Sequence, residues 1–182
     1  DQNIPINYAN TAMTDISDLY DSIQEVDDHS EFKIQDSVDK YRRCSIYYET
    51  ALPPFLTLID VLEEEEPELE EIRKMQLSNA VSKVRNFQPL QVFVRDFDTN
   101  IRNAVDHGGI SGYNPDPKRE VVEFNYKVGG ETISKEMSYN EFKGTTLSVC
   151  KAAIALYGLP MYIILAYPHL LILDEYDELE LR

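Results

Sequence analysis

The sequence predicts a mainly α-helical fold, a helical bundle carrying one inserted β-hairpin. Three observations carry that prediction. Apolar residues recur at helical spacing through most of the chain, as at Ile16, Leu19, Tyr20 and Ile23, and again from Leu90 through Val105. One stretch breaks to period two, where Val122, Phe124, Tyr126 and Val128 alternate with Glu123, Asn125 and Lys127. The bulk composition, 182 residues with 43% hydrophobic and 27% charged, is that of one ordinary globular domain.

Taken in order, residues 1–13 lack clear periodicity and read as an N-terminal arm, with a single domain over 14–182. Thr14 offers a cap for a first helix. A second helix starts near Glu31 and runs past Val38, Tyr41, Ser45, Tyr48 and Leu52 to Pro53-Pro54, which should break or kink it before Phe55–Leu62 resumes helical spacing. Pro67 opens a third helix through Leu69, Ile72 and Met75, continuing to Val81 and Val84. Pro89 suits the first turn of the next. That helix carries one stripe of Leu90, Phe93, Val94, Phe97, Ile101, Ala104 and Val105, and Gly108-Gly109 ends it. The hairpin is placed near 119–137, turning at Gly129-Gly130. Ser138 with Glu141 forms a capping box for a last helix to about Tyr157.

The net charge of -16 is unevenly spread. Residues 1–32 hold eight acids and no Lys or Arg, residues 60–71 hold eight more, and 174–180 another five. Those runs take 21 of the 33 acids, so the rest of the chain sets 12 acids against 17 bases. Charge alone therefore does not exclude RNA. Cys44 and Cys150 are isolated, with no CxxC and no nearby His pair, which argues against zinc and against a disulfide scaffold and points to a reducing cytoplasm. The apolar tract 152–173 is interrupted by Gly158, Pro160, Pro168 and His169, so it reads as a buried helix or subunit interface and not a membrane span. The chain begins without Met or a leader, which reads as an excised segment and not a secreted precursor.

The segment richest in chemistry is Ile101-Arg102-Asn103-Ala104-Val105-Asp106-His107-Gly108. It resembles the HEPN superfamily, all-helical domains with an Arg-x(4–6)-His motif in which a polar residue, often Asn, follows the Arg. Arg102, Asn103 and His107 match that order with four residues between Arg and His. The motif covers six residues, and the bundle-like organisation extends the resemblance loosely over residues 14–175. The resemblance implies a metal-independent endoribonuclease of a defence or toxin–antitoxin system, acting as a homodimer without cofactor or metal and leaving 2′,3′-cyclic phosphate ends. It equally covers inactive members that serve in binding or assembly. The same letters are similar to the Asn-containing box of histidine kinases, but that fold needs a downstream Asp-x-Gly-x-Gly motif, and Gly112, Gly129, Gly130, Gly144 and Gly158 supply none.

The chemistry also follows from the residues. RNA carries its own nucleophile, the 2′-hydroxyl, so cleavage needs a proton carrier near neutral pH and a cation for the charged transition state. His107 suits the first role and Arg102 the second, with Asn103 orienting the phosphate or the imidazole. On an unbroken helix, five positions at about 100° each separate Arg102 and His107 by roughly 140°. Either the helix unwinds at the glycine pair, or two chains contribute complementary groups. Lys118 and Arg119 at the hairpin base are secondary candidates for substrate phosphate.

Bland readings stand beside these. Asp98 and Asp106 lie four residues either side of Arg102, so an Asp–Arg–Asp ladder accounts for all three. A last-turn His107 suits the helix dipole. His29 reads as part of a helix end, His169 as a core histidine, and Glu63–Glu66 as a solvated acidic face that would also attract a basic partner. Tyr41, Tyr47 and Tyr48, near Arg42-Arg43, have the spacing of bundle core and the chemistry to stack on bases. The rival to the nuclease is thus a silent interaction module of a larger assembly that binds a partner protein, such as an antitoxin, or a nucleotide.

Overall fold

The computed structural model describes residues 4–24, 31–107 and 112–166. Six α-helices, one 3-10 helix and a small antiparallel sheet follow in the order α1 (Ile4–Gln24), α2 (Glu31–Leu62), α3 (Leu69–Lys74), α4 (Leu77–Asn86), the 3-10 helix Gln88–Phe93, α5 (Thr99–His107), β1 (Tyr113–Asp116), β2 (Val121–Val128), β3 (Glu131–Ser138) and α6 (Tyr139–Ala166). The chain is mainly helical, as its periodicity predicts. Among the described residues, no helix is long and apolar enough to cross a membrane.

The core forms where α1 and α2 pack on α6. Ile16 and Ile23 of α1, Val38, Tyr41, Cys44, Tyr48 and Leu52 of α2, and Phe142, Val149, Cys150 and Ala153 of α6 are buried. On α2 their spacing of three and four residues is the stripe that makes the helix amphipathic, and on α1 and α6 the same stripe recurs seven residues on. Each such side chain contributes about 1.5–3 kcal/mol on burial, so the stripes drive this packing. Tyr41 and Tyr48 belong to it and are shut away from any base, while the Tyr47 hydroxyl donates to Asp15 at 2.7 Å.

Several boundaries differ from the sequence expectation. Helix α1 begins at Ile4 and takes in most of the stretch expected to form an arm. Helix α2 runs through Pro53 and Pro54 without ending. Those prolines withhold two N–H donors, but buried Leu52, Phe55 and Leu56 hold both sides of the site against the core. The expected third helix is two, separated at Met75-Gln76. The 90–105 stripe is split as well. At the end of the 3-10 helix the Phe93 carbonyl accepts from the Tyr48 hydroxyl at 3.1 Å, and between it and α5 Arg85 donates to the carbonyls of Val94 at 3.3 Å and Phe97 at 3.2 Å. Side chains thus take carbonyls a continuous helix would have used, while Leu90, Val94, Phe97, Ile101, Ala104 and Val105 all remain buried.

The hairpin spans 121–138 and gains a third strand, giving a sheet of order β1-β2-β3. Strand β1 reads Tyr-Asn-Pro-Asp and lies at an edge, where Pro115 forfeits no hydrogen bond a neighbour needs. Gly129 and Gly130 turn β2 into β3 with φ of +59° and +90°, both in the region a two-residue turn of this kind demands. Val122 and Phe124 point into the core. The capping box forms as read: the Ser138 N–H donates to Glu141 at 2.7 Å, and the Glu141 N–H donates to the Ser138 hydroxyl at 3.2 Å.

Cys44 and Cys150 are joined in a disulfide across 106 residues, with Cα atoms 5.5 Å apart. This overturns the expectation of two unpaired thiols. Each cysteine sits on the core stripe of its helix, so packing α2 on α6 brings them together, which no local spacing reveals. Such bridges persist in oxidising surroundings and are rare in reducing ones, so the step from isolated cysteines to a reducing cytoplasm fails.

Helix α2 ends in a left-handed residue that is not glycine. The Glu65 N–H donates to the Asp60 carbonyl at 2.8 Å and the Glu64 N–H to the Val61 carbonyl at 3.2 Å, with Glu64 at φ +60°. That is the closing pattern in which glycine is favoured, because a Cβ is strained there. Glu64→Gly is therefore expected to raise stability by about 0.5–1 kcal/mol in urea unfolding; an unchanged or lower midpoint would refute the strain.

Candidate functional site

Helix α5 carries the Arg102–Asn103–His107 segment, and its frame is set at both ends. Asp98 caps its start: the Asp98 carbonyl accepts from the Arg102 N–H at 3.1 Å, and its carboxylate accepts from the Asn100 N–H at 2.9 Å. At its other end Arg42 of α2 donates Nη2 to the Val105 carbonyl at 2.6 Å, satisfying a last-turn acceptor. Ile101, Ala104 and Val105 anchor the inner face, leaving Arg102 and Asn103 toward the outside.

The Arg102 guanidinium is fully engaged. Its Nε and Nη2 form a two-pronged pair with Glu49 of α2, the Nη2–Oε2 distance being 3.0 Å. Its Nη1 lies 3.0 Å from Asp106 Oδ2 and 3.4 Å from Asn103 Oδ1. Asp106 in turn lies 3.4 Å from Nε of Arg42, whose Nη1 pairs with Asp39 at 2.9 Å. A continuous chain of alternating charge, Asp39–Arg42–Asp106–Arg102–Glu49, therefore runs along the seam between α2 and α5. The Arg102, Asp106 and Glu49 side chains are 22%, 26% and 24% exposed. This partial withdrawal from water strengthens the pairs beyond the small worth of exposed ones.

Half of the expected Asp98–Arg102–Asp106 ladder is present. Asp106 takes its rung, but Asp98 turns instead to Lys135 of β3 at 2.8 Å. Burial pushes the Asp98 carboxyl up, and the Lys135 ammonium with the N–H groups of Asn100 and Ile101 outweighs it, so the group ends below the usual carboxylate range. A depressed folded-state value gives stability that is present above the unfolded value near 3.9 and lost as pH falls through the folded one. Asp98→Asn is accordingly expected to melt below wild type at pH 7, with the gap closing as pH drops from about 5 toward 2. A gap independent of pH would show that the charge of Asp98 contributes nothing.

His107 is the last residue of α5; its side chain, Gly108-Gly109, His29 and His169 lie outside the described residues. The structure thus brings Arg102 and Asn103 together with the chain position of His107. Lys118 and Arg119 stand apart, in the turn between β1 and β2. The Lys118 N–H donates to Asp116 at 3.0 Å, and Arg119 pairs with Glu136 at 2.8 Å. Among the described residues, no hydrogen bond or ion pair joins either to α5. The acidic run behaves as a solvated face: Glu63 to Glu66 are exposed, and Lys83 pairs with Asp60 beneath them.

Asp39 and Glu49 escape a reading of the sequence, which picks out Arg42 only as a neighbour of Tyr41, Tyr47 and Tyr48 and not as a partner of α5. Glu49 lies 53 residues from its partner Arg102, and Arg42 lies 63 from Val105. The available signal is their spacing on α2, where 42 and 49 share a face beside the apolar stripe, but nothing local names α5 as the partner. No protein-family model, curated protein or solved structure matches the chain.

Proposed function

We propose that the chain is a metal-independent endoribonuclease of the HEPN type, acting on RNA as a homodimer in a defence or toxin–antitoxin setting. The observation that carries this reading is the placement of Arg102 and Asn103 on the outer side of α5, with the guanidinium oriented from behind by Glu49. Because α5 stays helical through His107, about 140° round the helix from Arg102, the two groups that meet at one phosphate come from complementary chains of the dimer. A cation held in a fixed direction stabilises developing charge without reorganising during the reaction. In the reaction, the 2′-oxygen bonds to phosphorus and the bond to the 5′-oxygen breaks. His107 removes the 2′-hydroxyl proton and, as imidazolium, returns it to the departing 5′-oxygen, while Arg102 balances the charge on the non-bridging oxygens.

One observation favours a second reading. The pairing of Arg102 with Glu49 and Asp106 leaves the cation neutralised within its own chain, as suits a silent module that holds a partner protein.

Cleavage of a mixed tRNA and unstructured RNA pool in excess EDTA separates the two. The nuclease reading expects cleavage by wild type, cyclic-phosphate ends, and loss of at least about a hundredfold in both Arg102→Ala and His107→Ala. A folded wild-type dimer that leaves the pool intact would replace it with the module. Cleavage indifferent to both substitutions would place the activity elsewhere.

A further inference from the structure

The Asp106 carboxylate sits between two guanidinium groups, and each is anchored on its far side by other partners. Arg102 is held by Glu49 through Nε and Nη2, and Arg42 by Asp39 at 2.9 Å and by the Val105 carbonyl at 2.6 Å. Their inner edges, Nη1 of Arg102 and Nε of Arg42, converge on the two oxygens of Asp106 at 3.0 and 3.4 Å. Removing the carboxylate would leave both cations in place with those donors open.

We propose that Arg42 and Arg102 form a two-arginine cradle for a phosphodiester, in which the Asp106 carboxylate stands where the phosphate binds. The two groups are interchangeable here on chemical grounds. Each presents a pair of anionic oxygens that guanidinium N–H donors match geometrically. A phosphodiester carries the same single negative charge as the carboxylate it displaces, so the network keeps its balance on exchange. The cradle reaches solvent, with Arg42 37% and Asp106 26% exposed. It adjoins His107, the residue assigned the proton transfer, in the chain. Asp106 is then an internal competitor: wild type binds weakly because each ligand must first displace a tethered anion. This deepens the ribonuclease reading and rests on it for the nature of the ligand.

The test is binding, not turnover. The probe is a fluorescein-labelled single-stranded oligodeoxythymidine, which lacks the 2′-hydroxyl and cannot be cleaved, followed by fluorescence anisotropy at fixed salt. Asp106→Asn is expected to bind about tenfold tighter than wild type. Adding Arg42→Ala to it should return the affinity to the wild-type level or below. Glu131→Gln removes the same charge from the exposed hairpin and should leave affinity unchanged. Melting curves confirm folding, and Asp106→Ser serves as a second opening variant if Asp106→Asn melts early. Equal affinity of wild type and both opening variants would overturn the cradle, as would tightening by Glu131→Gln or persistence of the gain without Arg42. Tighter binding by Asp106→Asn in a protein that never cleaves RNA would remove the nuclease reading and leave the cradle standing.

Discussion

Replacing both Cys44 and Cys150 by Ala is expected to lower the unfolding free energy by about 4 kcal/mol, or roughly 10 °C in melting temperature. The size comes from the 106-residue separation: a cross-link that closes so long a loop removes much chain entropy from the unfolded state. Both sulfur atoms are buried in the seam of α2 and α6, so reductant acts slowly on the folded protein and quickly on the unfolded one. Urea unfolding of the oxidised protein, the reduced protein and the double variant provides the measurement. The reduced protein and the double variant should fall together, well below the oxidised one. Two titratable thiols in the unreduced, denatured chain, with no change on adding reductant, would refute the bridge. The consequence reaches the candidate site, because Cys44 lies on α2 between Arg42 and Glu49, the two residues that hold Arg102 and Asp106.

Local chemistry is what the sequence made legible. The Ser138–Glu141 box and the Gly129-Gly130 turn each depend on residues a few positions apart, and both stand as read. The apolar stripes named most of the core residues even where the helix boundaries moved, although Leu62, Leu69 and Val128 stand exposed. From Leu90 to Val105 all of the stripe but half-buried Phe93 is buried, on a backbone that leaves and re-enters the helix. The departures share one cause, which is long-range partners. Tyr48 and Arg85 capture carbonyls that periodicity assigns to a helix, the core carries α2 across two prolines, and β1 pairs through a Tyr-Asn-Pro-Asp stretch whose composition reads as a turn. The site divides in the same way. Arg102 and Asn103 were visible as a motif. Glu49 and Arg42, which fix the direction of the guanidinium and end α5, became visible only when α2 was laid against it.

Phe142→Ala is expected to cost about 3–5 kcal/mol. Phe142 is fully buried and joins three elements: its ring centroid lies 5.5 Å from that of Tyr41 on α2 and 5.2 Å from that of Phe124 on β2. Truncation leaves a cavity at the point where the sheet meets the bundle. The loss is a large fraction of a typical domain stability of about 5–15 kcal/mol. Phe142→Leu, which keeps most of the volume, should cost much less. The damage should also be uneven. The sheet reaches the helices through Phe124, the Lys135–Asp98 pair and the Tyr113–Gln35 hydrogen bond, whereas Arg102 is held by α2 through Glu49. Amide exchange in Phe142→Ala should therefore quicken first in β2 and at the Asp98 end of α5, and last around Arg102. Uniform loss of protection would mean that sheet and bundle open as one unit, and the α2–α5 ion chain would then have no independent hold on the candidate site.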